Sequence, residues 1–297
     1  MDAIIEELSP DVIGKYLGQN IYSSNASLLL KQGSEIKEMH YSHLKEAGYQ
    51  SIYLQPNADD NFDSDDLIIS EDLRAKAPFI IKDIFKNLLN EGRVQLAKSK
   101  QELLHLAERI LQEVQFRPYT QLRFLDLKRQ DDYLYQHALN VALYSILIGH
   151  SLEYHQLKMI DLTLGALLHD FGKGFVDEAI LAKATPLDEH ELEQFREHTT
   201  KGFQYLGRRC QFNGLVTIVV LQHHERFDGL GFPRGLLGNE IHEYSRIVAL
   251  ADFFDTYTSD RPYRRLHPLE EAVEYIKLDA GKLFDPDIVQ HFLKFFE

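Results

Sequence analysis

A single cysteine, Cys210, stands in a chain of 297 residues, which excludes an internal disulfide and a zinc site built on thiolates. Basic runs are also missing. The chain has 46 Asp and Glu against 32 Lys and Arg, a formal net charge of −14. A protein that holds DNA or RNA by neutralising phosphates needs the reverse balance. No apolar stretch approaches the ~20 residues that cross a bilayer, so no membrane span is expected. The opening residues, MDAIIEELSP, lack the positive start and apolar core of a secretory signal, and the expectation is a cytoplasmic protein. A small anionic ligand is still compatible with this charge wherever cations gather in one pocket.

What the chain does have is histidine, 14 residues of it, including an adjacent pair in the stretch HHERFDGLGFPRG that starts at His223. Neighbouring imidazoles repel when protonated, and a metal explains why both would stay neutral. With 44% hydrophobic and 26% charged residues the chain can bury a sizeable core.

Three segments are expected. Residues 1–58 read as a small mixed α/β input or docking domain. It has a buried strand at Leu28, Leu29 and Leu30, a short helix over 36–47, and a strand over 51–54. Residues 59–118 begin as a solvated acidic linker (Asp59, Asp60, Asp63, Asp65, Asp66, Glu71, Asp72) and continue as connecting helices from Pro78. Apolar repeats at three and four, such as Ile81, Ile84, Phe85 and Leu88, give those helices faces that could serve a homodimer. Residues 119–297 read as an all-helical domain. Its helix starts are expected at Thr185, ahead of Pro186, and at Asp285, ahead of Pro286.

Within that domain, polar groups fall on apolar helix faces. His137 shares a face with Leu134, Val141 and Ile148; His169 with Leu162 and Ala166; His198 with Phe195 and Gly202. Asp252 lies beside Val248. Each unpaired buried polar group costs ~1–3 kcal/mol, so one shared site is the economical account. His137, His169, Asp170, His198, His223, His224 and Asp252 are too many for one tetrahedral ion. They suit two divalent ions bridged by Asp170, with iron, manganese and zinc all compatible with imidazole and carboxylate donors. Two metals ~3.5–4 Å apart are a recurrent device for attack on a phosphodiester. The remaining histidines, His40, His43, His105, His150, His155, His190, His242, His267 and His291, are expected at the surface.

The run His169-Asp170-Phe171-Gly172-Lys173 resembles the HD superfamily of metal-dependent phosphohydrolases. HHERFDGLGFP, Thr258 to Arg264, and Phe284-Asp285-Pro286 are similar to its HD-GYP branch over residues 120–297. The resemblance implies hydrolysis of cyclic di-GMP to the linear dinucleotide, and on to GMP in some members, by a bridging hydroxide at a binuclear centre, with iron the foremost metal. It also implies Asp170 and Lys173 as catalytic groups, and Lys173, Arg261, Arg264 and Asp255 as substrate-binding groups. Two departures stand out. Gly231-Phe232-Pro233 replaces Gly-Tyr-Pro, and Tyr133 occupies the place where members with three metals carry a glutamate, so two metals are expected. Glu225 is read either as a partner orienting a histidine ring or as solvent-facing, and Asp228 and Gly229 as a turn. A binding module that keeps the metal site without turnover, with the 225–240 loop or the N-terminal domain meeting a protein partner, is the rival class. A nucleotide phosphohydrolase of HD type is a further alternative.

Overall fold

The computed structural model describes residues 4–18, 20–22, 27–46, 49, 51–58, 68–90, 92–115, 133–183, 185–258 and 269–296. The acidic stretch Asp59 to Asp66 lies outside them, as do Arg261 and Arg264.

The N-terminal unit is built on three short antiparallel strands. β1 (Ile4–Glu7) and β2 (Tyr16–Leu17) flank β5 (Ser51–Gln55), with Ile4 opposite Leu54 and Tyr16 opposite Gln55. α1 (Glu38–Glu46) adds Leu44 to a small core of Val12, Leu17, Ile36, Ile52 and Leu54. The leucine run corrects the sequence reading. β4 (Leu28–Leu30) is a strand, but it pairs only with β3 (Ile21–Tyr22) in a two-stranded ribbon. Leu28 and Leu29 therefore remain half exposed, and only Leu30 leans on the core.

Among the described residues ten further helices follow: α2 (Glu71–Asn90), α3 (Arg93–Gln115), α4 (Tyr133–Ser151), α5 (Gln156–Leu168), α6 (Glu178–Leu181), α7 (Glu189–Arg208), α8 (Gly214–Gln222), α9 (Glu243–Thr258), α10 (Leu269–Leu278) and α11 (Pro286–Leu293). α4 packs on α5 and α9, α5 on α8, and α7 on α8. The expected connecting helices behave differently from a linker. α2 rests on α3 and α4, and α3 on α5. Their stripes of Leu73, Ala77, Ile81, Ile84 and Leu88, and of Leu103, Ala107 and Ile110, are buried in the same cluster as the helices behind them. Such stripes at helical spacing bury against whatever apolar face is available, and here it is the domain's own. α2 also starts seven residues before Pro78, where the Ser70 hydroxyl accepts from Leu73 N–H and Glu113 accepts from Ser70 N–H.

The caps explain where two later helices begin. Asp285 accepts from Asp287 N–H with Pro286 in the first turn, as its sequence pattern implies. For α7 the cap is Asp188 rather than Thr185: Asp188 and Glu191 form a reciprocal capping box. Among the described residues no helix is long and apolar enough to cross a membrane.

Candidate metal centre

Five helix ends and faces deliver the polar groups. His137 comes from the second turn of α4. His169 follows the last turn of α5, and Asp170 opens a 3-10 turn over Phe171–Phe175. His198 lies in α7, His223 and His224 end α8, and Asp252 lies in α9. All but His224 and Asp252 are fully buried.

Backbone carbonyls fix the tautomers. Nδ1 of His169 lies 2.7 Å from the Ala166 carbonyl, Nδ1 of His198 is 2.6 Å from Phe195 O, and Nδ1 of His223 is 3.0 Å from Val220 O. A carbonyl only accepts, so each Nδ1 carries the hydrogen and each Nε2 presents a lone pair. Yet Nε2 of His198 and Nε2 of His223 lie 3.4 Å apart, and each faces Asp170 Oδ1, at 3.6 and 3.7 Å. Nε2 of His224 and Oδ1 of Asp170 are buried without a hydrogen-bond partner. Nε2 of His198, Nε2 of His223 and Oδ1 of Asp170 are three acceptors converging with no donor between them, which is repulsive unless a cation lies among them. The donor set therefore fits a metal ion.

A second group adjoins the first. Nε2 of His137 sits 3.0 Å from Asp252 Oδ1, 3.2 Å from Nε2 of His169 and 3.6 Å from Asp170 Oδ2. The candidate ligand atoms of His137, His169 and Asp252 lie within 4.8 Å of one another, as do those of Asp170, His198, His223 and His224. Asp170 thus turns Oδ2 to one group and Oδ1 to the other. Lys173, reaching back from the 3-10 turn, pairs with Oδ2 and stays partly open to solvent.

Electrostatics follow from burial and from these contacts. Burial holds His198 down to about 3 and also lowers His223 and His224, so these rings are neutral at pH 7. For His137 burial acts downward too, but hydrogen bonds to Asp252 and Asp255 outweigh it and raise the ring above the ordinary range. Burial pushes Asp170 and Asp252 up. Lys173 and His169 overcome this for Asp170, and His137 does so for Asp252, so both carboxyls end below the ordinary range.

Glycines set the spacing. A Cβ on Gly172 would meet the His198 carbonyl oxygen at 1.9 Å, and one on Gly202 would meet Gly172 Cα at 3.1 Å. The 3-10 turn carrying Asp170 and Lys173 thus lies directly on the backbone of α7. Behind the histidine pair, the loop is held by Glu225, whose Oε1 accepts from Arg234 N–H (2.8 Å) and Oε2 from Leu236 N–H (3.0 Å). Neither sequence reading of Glu225 describes this: it is buried and its partners are loop amides. Asp228 forms the expected turn, accepting from Leu230 N–H and from Arg226, with Gly229 at φ +79°. Phe232 folds back to stack on His224, with ring centroids 4.7 Å apart and an interplanar angle of 27°.

Asp255 sits elsewhere than expected. It is buried, its Oδ2 lies 2.6 Å from His137 Nδ1, and its Oδ1 accepts from Asn140 Nδ2 at 2.8 Å. Both oxygens are engaged and the side chain is buried, an arrangement that orients His137. Asn140 was not anticipated; its place one turn after His137 on α4 was the available signal. His242 is half-buried, its Nδ1 accepting from Tyr244 N–H at the start of α9, and His150 Nε2 is buried too.

A helical domain with two adjoining groups of histidine and aspartate around one shared carboxylate defines a metal-binding class of fold. Comparison with known proteins narrows it. The HD domain family matches residues 83–288. The chain is 34% identical over 231 residues to the "Cyclic di-GMP phosphodiesterase" of Thermotoga maritima, covering 77% of this chain and 61% of that protein. It is 37% identical over 151 residues to the "3'3'-cGAMP-specific phosphodiesterase 3" of Vibrio cholerae, covering 51% of this chain and 33% of that one. The chain therefore spans less than two thirds of the length of these relatives. Among solved structures, an HDG"Y"P protein from Bdellovibrio bacteriovorus shares the fold, with a TM-score of 0.60 at 20% identity over 99% of both chains. The chain belongs to the HD domain family.

Proposed function

We propose that this chain is a metal-dependent phosphodiesterase that opens cyclic di-GMP to the linear dinucleotide, with further cleavage to GMP as a second step. The observation that carries the reading is Asp170, whose two oxygens face two separate groups of inward-directed imidazole nitrogens beside Lys173. His137, His169, Asp252 and Asp170 Oδ2 would hold one divalent ion, and Asp170 Oδ1, His198, His223 and His224 the other. Two ions held there would supply Lewis acidity and would activate a water for attack at phosphorus. The family resemblance points to iron first, and the imidazole and carboxylate donors are equally compatible with manganese and zinc.

The chain's own groups do the rest. The buried rings of His198, His223 and His224 are neutral at pH 7 and keep their lone pairs free for ligation, and the carbonyl-bound Nδ1–H groups of His169, His198 and His223 fix the rings so that little reorganisation is needed. Lys173 places a cation at the edge of the site, where it can hold a phosphoryl oxygen while charge accumulates there. Arg261 and Arg264 are proposed as further phosphate ligands from their motif alone.

Phe232 supports a second reading. Its ring lies flat on His224, closing that side of the group with no hydroxyl to offer. A binding module that takes up a cyclic dinucleotide without turnover, and presents the 225–240 loop or its N-terminal unit to a protein partner or a second copy, would suit that arrangement. The test is incubation of protein loaded anaerobically with iron, manganese or zinc with cyclic di-GMP and with 3'3'-cGAMP, followed by chromatography. Linear product is expected from cyclic di-GMP. Tight binding with no product under every metal would replace the enzyme by the binding module.

A further inference from the structure

On the α7 side of the site stands a cation, Arg196, that no acid among the described residues neutralises. Arg196 lies two residues before His198, and its guanidinium carbon is 5.2 Å from the centroid of the Phe232 ring. That ring stacks on His224 and meets His198 edge-on at 6.5 Å. One aromatic ring therefore separates Arg196 from both imidazoles. The side chain is exposed to solvent. Among the described residues its guanidinium has no carboxylate partner. The adjacent Glu197 turns instead to Lys201, at 2.8 Å. An exposed arginine held over the ring that covers His224 presents a cation at the rim of a buried site.

Lys173 differs in this respect, because its charge is already engaged by Asp170. Lying over a ring face occupies none of the five N–H donors of a guanidinium, so the fork of Arg196 is oriented yet free. Phe232 itself has no hydroxyl, so at this edge of the site the hydrogen-bond donors come from Arg196.

We infer that Arg196 is a substrate-binding residue whose guanidinium, seated on Phe232, takes the phosphodiester that is not being cleaved. A cyclic dinucleotide carries two phosphodiesters. The proposed metal pair meets one of them, and the other brings a negative charge that needs a cation beyond the metals. Guanidinium and the two non-bridging oxygens match as a fork to a fork. The inference rests on the proposed function and names one of its ligand contacts.

The test uses the full chain, metal-loaded, as wild type, Arg196→Ala and Arg196→Lys, with metal content checked by elemental analysis. KM for cyclic di-GMP and for cyclic di-AMP is measured, and a calorimetric Kd replaces it for any pair without turnover. Arg196→Ala is expected to raise KM or Kd by about 10-fold or more for both ligands, the loss of one charge-assisted contact, at unchanged metal content. Arg196→Lys should recover part of it, since the charge is kept and the fork is lost. Equal values for wild type and Arg196→Ala would overturn the inference, and a loss confined to the guanine-containing ligand would transfer Arg196 from phosphate to base. A wild type that neither binds nor cleaves either ligand would remove the functional reading itself, and this inference with it.

Discussion

Asp255 Oδ2 lies 2.6 Å from Nδ1 of His137, across the packed faces of α9 and α4. The contact fixes which nitrogen of His137 points at Asp252 and His169, and Asn140 fixes the carboxylate in turn. Asp255→Asn should therefore lower metal affinity by about 10- to 100-fold at the His137 group while leaving the His198, His223 and His224 group able to bind. Metal titration would show one site weakened and one retained. Unchanged affinity at both would mean that the ring is oriented by packing alone.

Asp170 is the one carboxylate that faces both groups. Asp170→Ala should cut metal content from the proposed two ions per chain to one or none, as read by elemental analysis of protein purified without oxygen, and abolish the proposed phosphodiesterase activity. Undiminished content would show that the groups are joined through another residue.

Gly172→Ala inserts a methyl group where the His198 carbonyl oxygen stands 1.9 Å away. The neighbour is backbone in the middle of α7, so relief requires the 3-10 turn to move bodily. A loss of about 3 kcal/mol or more of stability is expected, seen as a lowered Tm, together with reduced metal content. The same change at Gly207, where a Cβ meets nothing within 4 Å, is the control and should leave both measurements near wild type.

Chelator-treated protein should lose stability as pH falls. His198 titrates near 3 in the folded chain and at 6.5 in the unfolded one, and His223 and His224 are lowered in the same sense. Between those values the unfolded state binds more protons, so acid favours unfolding, and the stability is complete only above about 6.5. His137 is shifted the opposite way and offsets part of this. Asp170 and Asp252, held below the ordinary carboxylate range, extend the loss to lower pH. Thermal melts from pH 7.5 to 4.5 measure the trend; a Tm that rises on acidification would contradict the neutral assignment of the three rings.

His137, His169, His198 and Asp252 were legible as polar residues on apolar helical faces, a pattern that spacing reveals, while His223 and His224 stood out as an adjacent pair and Asp170 as the acid following His169. What spacing does not reveal is which neighbouring element meets that face. Asp255 occupies the same helix as Asp252 one turn on, and only the packing of α9 on α4 decides that one turns to His137 Nε2 and the other to Nδ1. Glu225 is a similar case. Its partners, Arg234 and Leu236, are backbone amides made available by a loop whose path no residue pattern dictates. The buried reading of Leu28 and Leu29 failed because hydropathy reports what a segment could bury against, and a two-stranded ribbon supplies too little surface. The helices over 71–115 were recognisable as helices, but their partner had to be seen.

The contact of Gly172 with the backbone of α7 has one more consequence. The separation between Asp170 and His198 is set by main chain against main chain, with no rotamer between them that could relax or breathe. Such a contact acts as a mechanical stop. Side chains around the site can be exchanged, and temperature can loosen their packing, while the gap into which the ions must fit keeps its width.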